Sequence, residues 1–209
     1  MSTYKPLAET LRPAQLSEFV GQQHLLDADK PIGKALNDNQ LHSMILWGPS
    51  GVGKTTLARI ICSQMGAHFE QMSAVLDGVK ELRNIIKHAE LYKQNDRSTI
   101  LFVDEIHRFN KAQQDAFLPH IESGLITLIG ATTENPSFEI NSSLLSRTRV
   151  YILYKLSDDE LEQIALKAMK KQKIKLESDG SLPLIIENSD GDARRLINII
   201  EQLTQNSSK

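Results

Sequence analysis

Short apolar runs alternate along the chain with longer segments in which apolar residues recur every three or four positions. The short runs predict five strands, at SMILW (43–47), AHFEQM (67–72), TILFV (99–103), LITLIGA (125–131) and VYILYKL (150–156). The segments between them predict helices at 54–65, 79–92 and 111–123. Mostly apolar strands separated by helices are typical of a parallel sheet covered on both faces. We therefore predict an α/β fold with a five-stranded parallel sheet flanked by helices.

The pattern changes after Leu156. The string SDDE (157–160) can form a capping box, in which Ser157 caps a helix and Glu160 bonds back to it. Only helical patterns follow, at about 158–172, 181–188 and 192–205. The sequence thus predicts an α/β domain at 1–156 and a small all-helical domain at 157–209.

Composition narrows the class of protein. The net charge of −2 over 209 residues excludes a basic tail, so any binding of nucleic acid would depend on the local placement of Lys and Arg. The single cysteine, Cys62, excludes an internal disulfide and favours a reducing compartment. The N-terminus lacks an apolar signal core, and no apolar run approaches the length of a membrane span. We expect a soluble cytosolic protein.

The string GPSGVGKT (48–55) follows the first predicted strand and opens the first predicted helix. It fits the P-loop pattern G-x-x-x-x-G-K-S/T in the context that the pattern requires. Glycines let the backbone curl so that successive N–H groups face phosphate oxygens, and the helix N-terminus adds the positive end of its dipole. We expect Lys54 to reach the β- and γ-phosphates and Thr55 to offer its hydroxyl to Mg²⁺. The strand, the helix and the Lys-Thr pair together disfavour a chance glycine-rich turn.

The third predicted strand ends in two acids, Asp104 and Glu105. The carboxyl ends of parallel strands form the ligand crevice of open α/β sheets, so Asp104 can hold Mg²⁺, usually through water. Glu105 is suited to act as the general base for an attacking water. An acid pair can also merely cap the next turn, but the P-loop disfavours that interpretation. A base aimed at water indicates hydrolysis rather than phosphoryl transfer to a metabolite.

Polar residues also end the fourth predicted strand, at GATTENPS (130–137). In a parallel sheet this end lies beside the phosphates, where Asn135 can hold the attacking water or contact the γ-phosphate. The alternative is that Asn135 and Pro136 simply start a turn. The guanine-reading pattern N-K-x-D is incomplete at NKAQ (110–113), which directly follows the acid pair. ATP is therefore favoured over GTP.

The order of these motifs carries a family resemblance. The P-loop, the acid pair, TTEN (132–135), LLSR (144–147) and GDAR (191–194) follow one another as in AAA+ ATPases of the clamp-loader branch, which the chain resembles. Longer strings, such as LRPAQLSEFVGQQHLL and FNKAQQDAFLPHIE, resemble the bacterial replication-associated recombination protein A family (RarA, also called MgsA) over nearly the whole chain. The RuvB branch-migration motors share DEIHR and GATT but lack FNKAQQDAFLPHIE and ENPSFE.

The resemblance implies a role for each matching residue. The catalytic set would be Glu105 in Walker B, Asn135 as sensor 1, Arg194 as sensor 2 and Arg147 as a finger that acts in trans on a neighbour's γ-phosphate. Thr55 and Asp104 would hold Mg²⁺. The nucleotide-binding set would be Val20 and Gly21, which line the adenine pocket, together with Gly48, Pro49, Ser50, Gly51, Val52, Gly53, Lys54, Thr55, Thr56 and Asp104.

The same resemblance implies a DNA-stimulated ATP hydrolase that remodels DNA at stalled replication forks and in recombination, in the bacterial cytoplasm. Its partners would be DNA forks, gaps or ends, further copies of itself in a homo-oligomer, and single-stranded DNA-binding protein, with no membrane. Family members continue into a C-terminal oligomerisation domain, so this chain is expected to be an N-terminal fragment. By itself it should associate weakly and hydrolyse ATP slowly.

Other interpretations stay open. A clamp-loader subunit or a Holliday-junction branch-migration motor is the alternative within the class, and a nucleotide-switched scaffold or a small-molecule P-loop kinase lies outside it. The base beside Asp104 disfavours the kinase. Arg149 is either part of the trans-acting machinery or a surface or interface arginine. The lysine-rich run KAMKKQKIK (167–175) is either a solvated helix face or a stripe that faces DNA.

Overall fold

The sheet predicted from the apolar runs is present in the structure, a computed structural model that describes residues 5–172 and 181–207. Its strands are β1 (Met44–Trp47), β2 (His68–Ser73), β3 (Thr99–Asp104), β4 (Ile126–Thr132) and β5 (Arg149–Ile152). They form one five-stranded sheet in the order β2-β3-β4-β1-β5, and every pairing is parallel. The predicted fold class is confirmed.

Helices and loops connect the strands, with short 3₁₀ turns at Leu16–Glu18 and Ile106–Arg108. In chain order the helices are α1 (Leu7–Thr10), α2 (Gln23–Leu26), α3 (Pro31–Asn37), α4 (Lys54–Gln64), α5 (Val79–Lys93), α6 (Lys111–Asp115), α7 (Leu118–Glu122), α8 (Pro136–Glu139), α9 (Ser142–Leu145), α10 (Asp158–Gln172), α11 (Ser181–Ser189) and α12 (Ala193–Ser207).

Two predicted elements differ from the structure. The helix predicted at 111–123 is two helices, α6 and α7, because Pro119 has no N–H to continue the ladder and instead occupies the first turn of α7. The strand predicted at 150–156 ends at Ile152. Its partner β1 ends at Trp47, where the chain turns into the P-loop, so the pairing stops after Trp47 and Ile152.

The chain divides into two compact units. The sheet lies in the unit formed by Gln22–Gly48 and Lys54–Leu153. Its central strands are buried along almost their whole length, and Ile45, Leu101 and Leu128 are fully inaccessible to solvent. Burying one such side chain stabilises the fold by about 1.5–3 kcal/mol. This core fixes the carboxyl ends of β1, β3 and β4 as a rigid platform.

The other unit contains the chain up to Gly21, the segment Pro49–Gly53 and the chain from Tyr154 onwards. Helices α1, α10, α11 and α12 pack there around an apolar cluster that includes Leu161, Leu196 and Ile200. The predicted capping box is confirmed: Glu160 N donates to Ser157 Oγ over 3.2 Å, and Ser157 N donates to Glu160 Oε2 over 2.8 Å.

The structure describes the first part of the lysine-rich run at 167–175. Lys167, Lys170 and Lys171 lie on α10, and Lys167 Nζ donates to the carbonyl of Glu18 over 3.3 Å. Its last residues, 173–175, lie outside the described part of the chain. Across the residues that are described, no helix combines the length and the apolar character needed to cross a membrane.

Candidate nucleotide-binding site

The order of the strands brings the predicted site residues to one edge of the sheet. Strand β4 lies between β1 and β3, so the residues after β4 emerge between the start of the P-loop and the acid pair. Gly48 N donates to Thr132 O over 3.1 Å, which joins the start of the P-loop to the end of β4. Residues from separate parts of the sequence therefore lie at the same edge of the sheet, namely Gly48, Lys54, Asp104, Glu105 and Asn135.

The P-loop has the backbone that a phosphate cradle needs. Gly51 has φ +69° and Gly53 has φ +98°, conformations that side chains rarely adopt. A Cβ at Gly53 would also lie 2.7 Å from the ring of Phe19. Helix α4 begins directly after this loop, at Lys54. A loop that curls in this way and leads into a helix N-terminus can direct backbone N–H groups at an anion.

Lys54 is held within the loop that it completes. Only 9% of its surface is exposed, and its Nζ donates to the carbonyl of Gly48 over 2.7 Å. A cation held at the P-loop can form charge-assisted hydrogen bonds with a bound phosphate.

Glu105 adopts a backbone conformation that the sequence does not predict. Its φ of 52° and ψ of 43° place a non-glycine residue in the left-handed region, immediately after β3. Such strain persists only where the surroundings enforce it, and it clusters at functional sites. Its carboxylate oxygen Oε2 is buried and accepts no hydrogen bond from the described residues. The side chain as a whole is 33% exposed, so its carboxylate can still meet a water molecule and accept a proton from it.

His107 links the acid pair to β4, a role that sequence reasoning missed. Its Nδ1 lies 2.9 Å from Thr132 Oγ1 and 3.3 Å from Glu105 Oε2. The second contact is at ion-pair distance but is not a hydrogen bond, so Oε2 accepts none from the described residues. Thr132 is fully buried, and its hydroxyl also accepts from Glu134 N over 3.0 Å. The only signal in the sequence is the histidine two positions after Glu105.

Asn135 caps the short helix α8. Its Oδ1 accepts from Ser137 N over 3.0 Å, so the turn that Asn135 and Pro136 were alternatively expected to start is present. Its side-chain amide nitrogen has no hydrogen-bond partner among the residues described. The two interpretations are compatible, because the cap uses the oxygen and leaves the N–H groups for a ligand.

Arg147 follows the short helix α9. Its Nε donates to Glu122 Oε1, and its Nη1 donates to the carbonyl of Ser143 over 2.9 Å and to Ser146 Oγ over 3.0 Å. Its side chain is 38% exposed. The guanidinium is thus held in place on the surface, and its Nη2 has no partner among the residues described.

Arg149 begins the edge strand β5 and is exposed. Burial lowers the pKa of His42, and the charge of Arg149 lowers it further. His42 Nε2 lies 2.7 Å from the hydroxyl of Tyr151. Exposure on an edge strand fits both a surface arginine and a residue offered to a neighbouring copy.

The remaining predicted site residues, Val20, Gly21 and Arg194, belong to the compact unit that contains α1, α10, α11 and α12. Gly21 is buried with φ +86°, a conformation that favours glycine, and a Cβ there would lie 2.7 Å from Leu156 Cδ2. Val20 beside it is half-buried. Arg194 is the second residue of α12 and is exposed.

Asp104, the last residue of β3, and Thr55, in the helix that follows the P-loop, fit a magnesium ion. Mg²⁺ typically takes one or two protein oxygens and keeps several waters. The carboxylate of Asp104 makes no hydrogen bond or ion pair with the described residues, and Thr55 lies in the first turn of α4. One unpaired carboxylate and one hydroxyl are a suitable donor set.

A parallel sheet in this order, with a P-loop after β1 and an acid pair after β3, defines a P-loop ATPase domain of the AAA+ class. Residues 11–149 match the family model of the Holliday junction DNA helicase RuvB P-loop domain, and the chain belongs to that family. The class predicted from the motifs is thereby confirmed. Membership of a P-loop family also supports nucleotide binding.

Individual relatives agree with this assignment. The chain is 54% identical to replication-associated recombination protein A of Escherichia coli K12, an alignment that covers 97% of this chain and 46% of the relative. It is 44% identical to the ATPase WRNIP1 of Dictyostelium discoideum, over 95% of this chain and 23% of that protein. The chain therefore spans less than half the length of these relatives. The resemblance to the RarA family is confirmed at this level.

Solved structures show the same fold. The Thermotoga maritima RuvB Holliday junction branch migration motor superposes with a TM-score of 0.76 at 32% identity, over 91% of this chain and 64% of that chain. A single-residue variant of the same RuvB gives a TM-score of 0.75 at 30% identity, over 91% of this chain and 64% of that one.

Proposed function

We propose that the chain is the ATP-hydrolysing part of a bacterial cytoplasmic protein that remodels DNA at stalled replication forks and in recombination. The observation that carries the proposal is Glu105, whose left-handed backbone holds a one-third exposed carboxylate directly after β3, at the sheet edge that also carries the P-loop. That arrangement serves a water nucleophile. The names of the relatives, one a replication-associated recombination protein and one an ATPase, support the biological setting.

In this proposal each side chain has one task. Lys54 and the P-loop backbone bind the phosphates of ATP, and Glu105 accepts a proton from the attacking water. The N–H groups of Asn135 orient that water or the γ-phosphate. Asp104 and Thr55 would hold Mg²⁺, which supplies neutralising charge when bound. Arg194 contacts the γ-phosphate from the helical domain at 157–209.

Assembly completes the site. Arg147 is proposed to serve the γ-phosphate of a neighbouring copy, where its Nη2 meets developing charge while Glu122 and Ser143 hold the rest of the guanidinium. Such an arrangement requires a homo-oligomer. Single-stranded DNA-binding protein is proposed as a further partner on family resemblance alone.

A basic stripe on α5 supports DNA as the partner. Lys80, Arg83 and Lys87 are exposed, and their spacing puts them on one helix face over about 10 Å. None of the three forms an ion pair within the described chain. Three cations on one helix face are suited to contact the phosphate backbone of DNA. Contacts of this kind do not depend on the base sequence.

Replacing Lys80, Arg83 and Lys87 together by alanine is expected to weaken DNA binding and to reduce the DNA stimulation of ATP turnover. The slope of log K against log salt should become shallower by roughly 2–3, because about one counterion is released for each phosphate neutralised. DNA affinity over a salt series measures the slope, and phosphate release measures turnover.

The matched control removes the same charge elsewhere. Lys5, Lys34 and Lys111 are exposed lysines outside α5 and outside the lysine-rich run at 167–175, and their triple alanine variant should keep the wild-type slope. Equal weakening by both variants would mean that only net charge matters and that the stripe is not the contact surface. Turnover without DNA should be unchanged in both variants.

A branch-migration motor is the second candidate. The RuvB family model and the agreement with the Thermotoga maritima motor favour it. Sequence identity favours the first candidate, since it is 54% to the recombination protein and 32% to the RuvB structure. Movement of a Holliday junction by the assembled protein, with no preference for forks or gaps, would favour the motor instead.

A further inference from the structure

Two hydrogen bonds join the P-loop to the first turn of α12. Ser50 Oγ donates to Asp192 Oδ2 over 3.0 Å, and Ala193 N donates to the carbonyl of Gly51 over 3.2 Å. Both bonds involve residues of the same compact unit. The P-loop therefore uses a side chain as well as its backbone, and it uses that side chain away from the phosphates.

The approach at this joint is too close for any residue except glycine at position 51. A Cβ at Gly51 would lie 1.8 Å from Asp192 Oδ1, and its φ of +69° already favours glycine. The P-loop therefore needs glycine at position 51 for two reasons. One is the close contact with Asp192 at the start of α12, and the other is the curl of the backbone around an anion.

Asp192 is itself fixed on both sides. Its Oδ1 accepts from Arg195 N over 2.9 Å, which caps α12, while its Oδ2 accepts from Ser50. The preceding turn is tight, with Asp190 at φ 48° and Gly191 at φ +78°. Lys155 Nζ holds that turn through Asp190, at 2.8 Å and 2.7 Å from its two carboxylate oxygens. One carboxylate therefore connects the P-loop to the start of α12, two residues before Arg194.

We propose that Asp192 is a positioning residue that ties Arg194 to the P-loop, so that the Ser50–Asp192 bond sets how strongly Arg194 distinguishes ATP from ADP. The inference rests on the proposed contact between Arg194 and the γ-phosphate. Its physical basis is that groups in one hydrogen-bond network couple, whereas distant groups act additively. Loosening the joint lets α12 shift relative to the loop, and Arg194 then contributes less.

Binding of ADP and of the non-hydrolysable analogue AMP-PNP tests the proposal, because their affinity ratio reports the γ-phosphate contact. Arg194→Ala should reduce AMP-PNP affinity relative to ADP by about ten- to a hundred-fold in the wild-type background. In the Ser50→Ala and Asp192→Ser backgrounds the same replacement should have an effect smaller by at least about threefold. Serine still caps α12 but is too short to accept from Ser50.

Asp192→Asn is the matched control, since asparagine caps a helix and can still bond Ser50 with the direction of the bond reversed. It should preserve the full effect of Arg194→Ala, and the thermal midpoints of all four backgrounds should agree if the helix is intact. An undiminished effect of Arg194→Ala in both Ser50→Ala and Asp192→Ser would overturn the positioning role. No effect of Arg194→Ala in the wild-type background would refute the γ-phosphate contact itself, and the positioning role with it.

Discussion

Replacing Arg147 by alanine is expected to lower ATP turnover of the assembled protein by about 10³–10⁵-fold while leaving ATP bound, because an arginine finger acts on charge that develops only during reaction. Its guanidinium is held by Glu122, Ser143 and Ser146, so a preformed geometry is lost with it. Steady-state phosphate release measures the loss. Arg97→Ala is the matched control, since it removes an exposed arginine just before β3, at the edge of the sheet away from the P-loop, and should keep most of the activity.

A mixing experiment shows whether the finger acts in trans. Subunits with Arg147→Ala keep their own nucleotide site, and subunits with Lys54→Ala cannot hydrolyse but can donate a finger. A mixed assembly should regain part of the lost turnover, because some intact sites then face intact fingers. No recovery, with mixed assembly verified by light scattering, would place Arg147 in its own subunit's site or in a purely structural role.

Replacing Glu105 by glutamine should lower turnover by about 10²–10⁴-fold with ATP still bound, since the amide cannot accept a proton from water. Measuring bound nucleotide alongside phosphate release separates loss of chemistry from loss of binding. Glu134→Gln is the control, because Glu134 is an exposed acid just after the neighbouring strand β4. Wild-type turnover in Glu105→Gln would refute the assignment of the base.

The elements with strong local signals could be predicted from the sequence. The five strands follow from apolar runs, and the P-loop and acid pair follow from fixed spacing at strand ends. Helices α1, α2 and α3 escaped because stretches of 4–7 residues are too short to show a helical period. The break at Pro119 was predictable from its missing N–H but was outweighed by the apolar spacing around it.

The finer parts of the site were not predictable because they join distant positions. The Ser50–Asp192 bond spans 142 positions and the His107–Thr132 bond spans 25. Spacing rules describe neighbours on one helix or strand, so they cannot reveal such pairs. The left-handed backbone of Glu105 is likewise imposed by its surroundings, since glutamate has no preference for it.

The most direct test of an ATPase that works on DNA is phosphate release from ATP by the assembled protein, at fixed salt, with and without forked DNA. We predict turnover that forked DNA raises and that Lys54→Ala abolishes, because Lys54 is the lysine of the P-loop. Turnover that is indifferent to DNA and rises with a small-molecule phosphate acceptor, or turnover that persists in Lys54→Ala, would contradict the account.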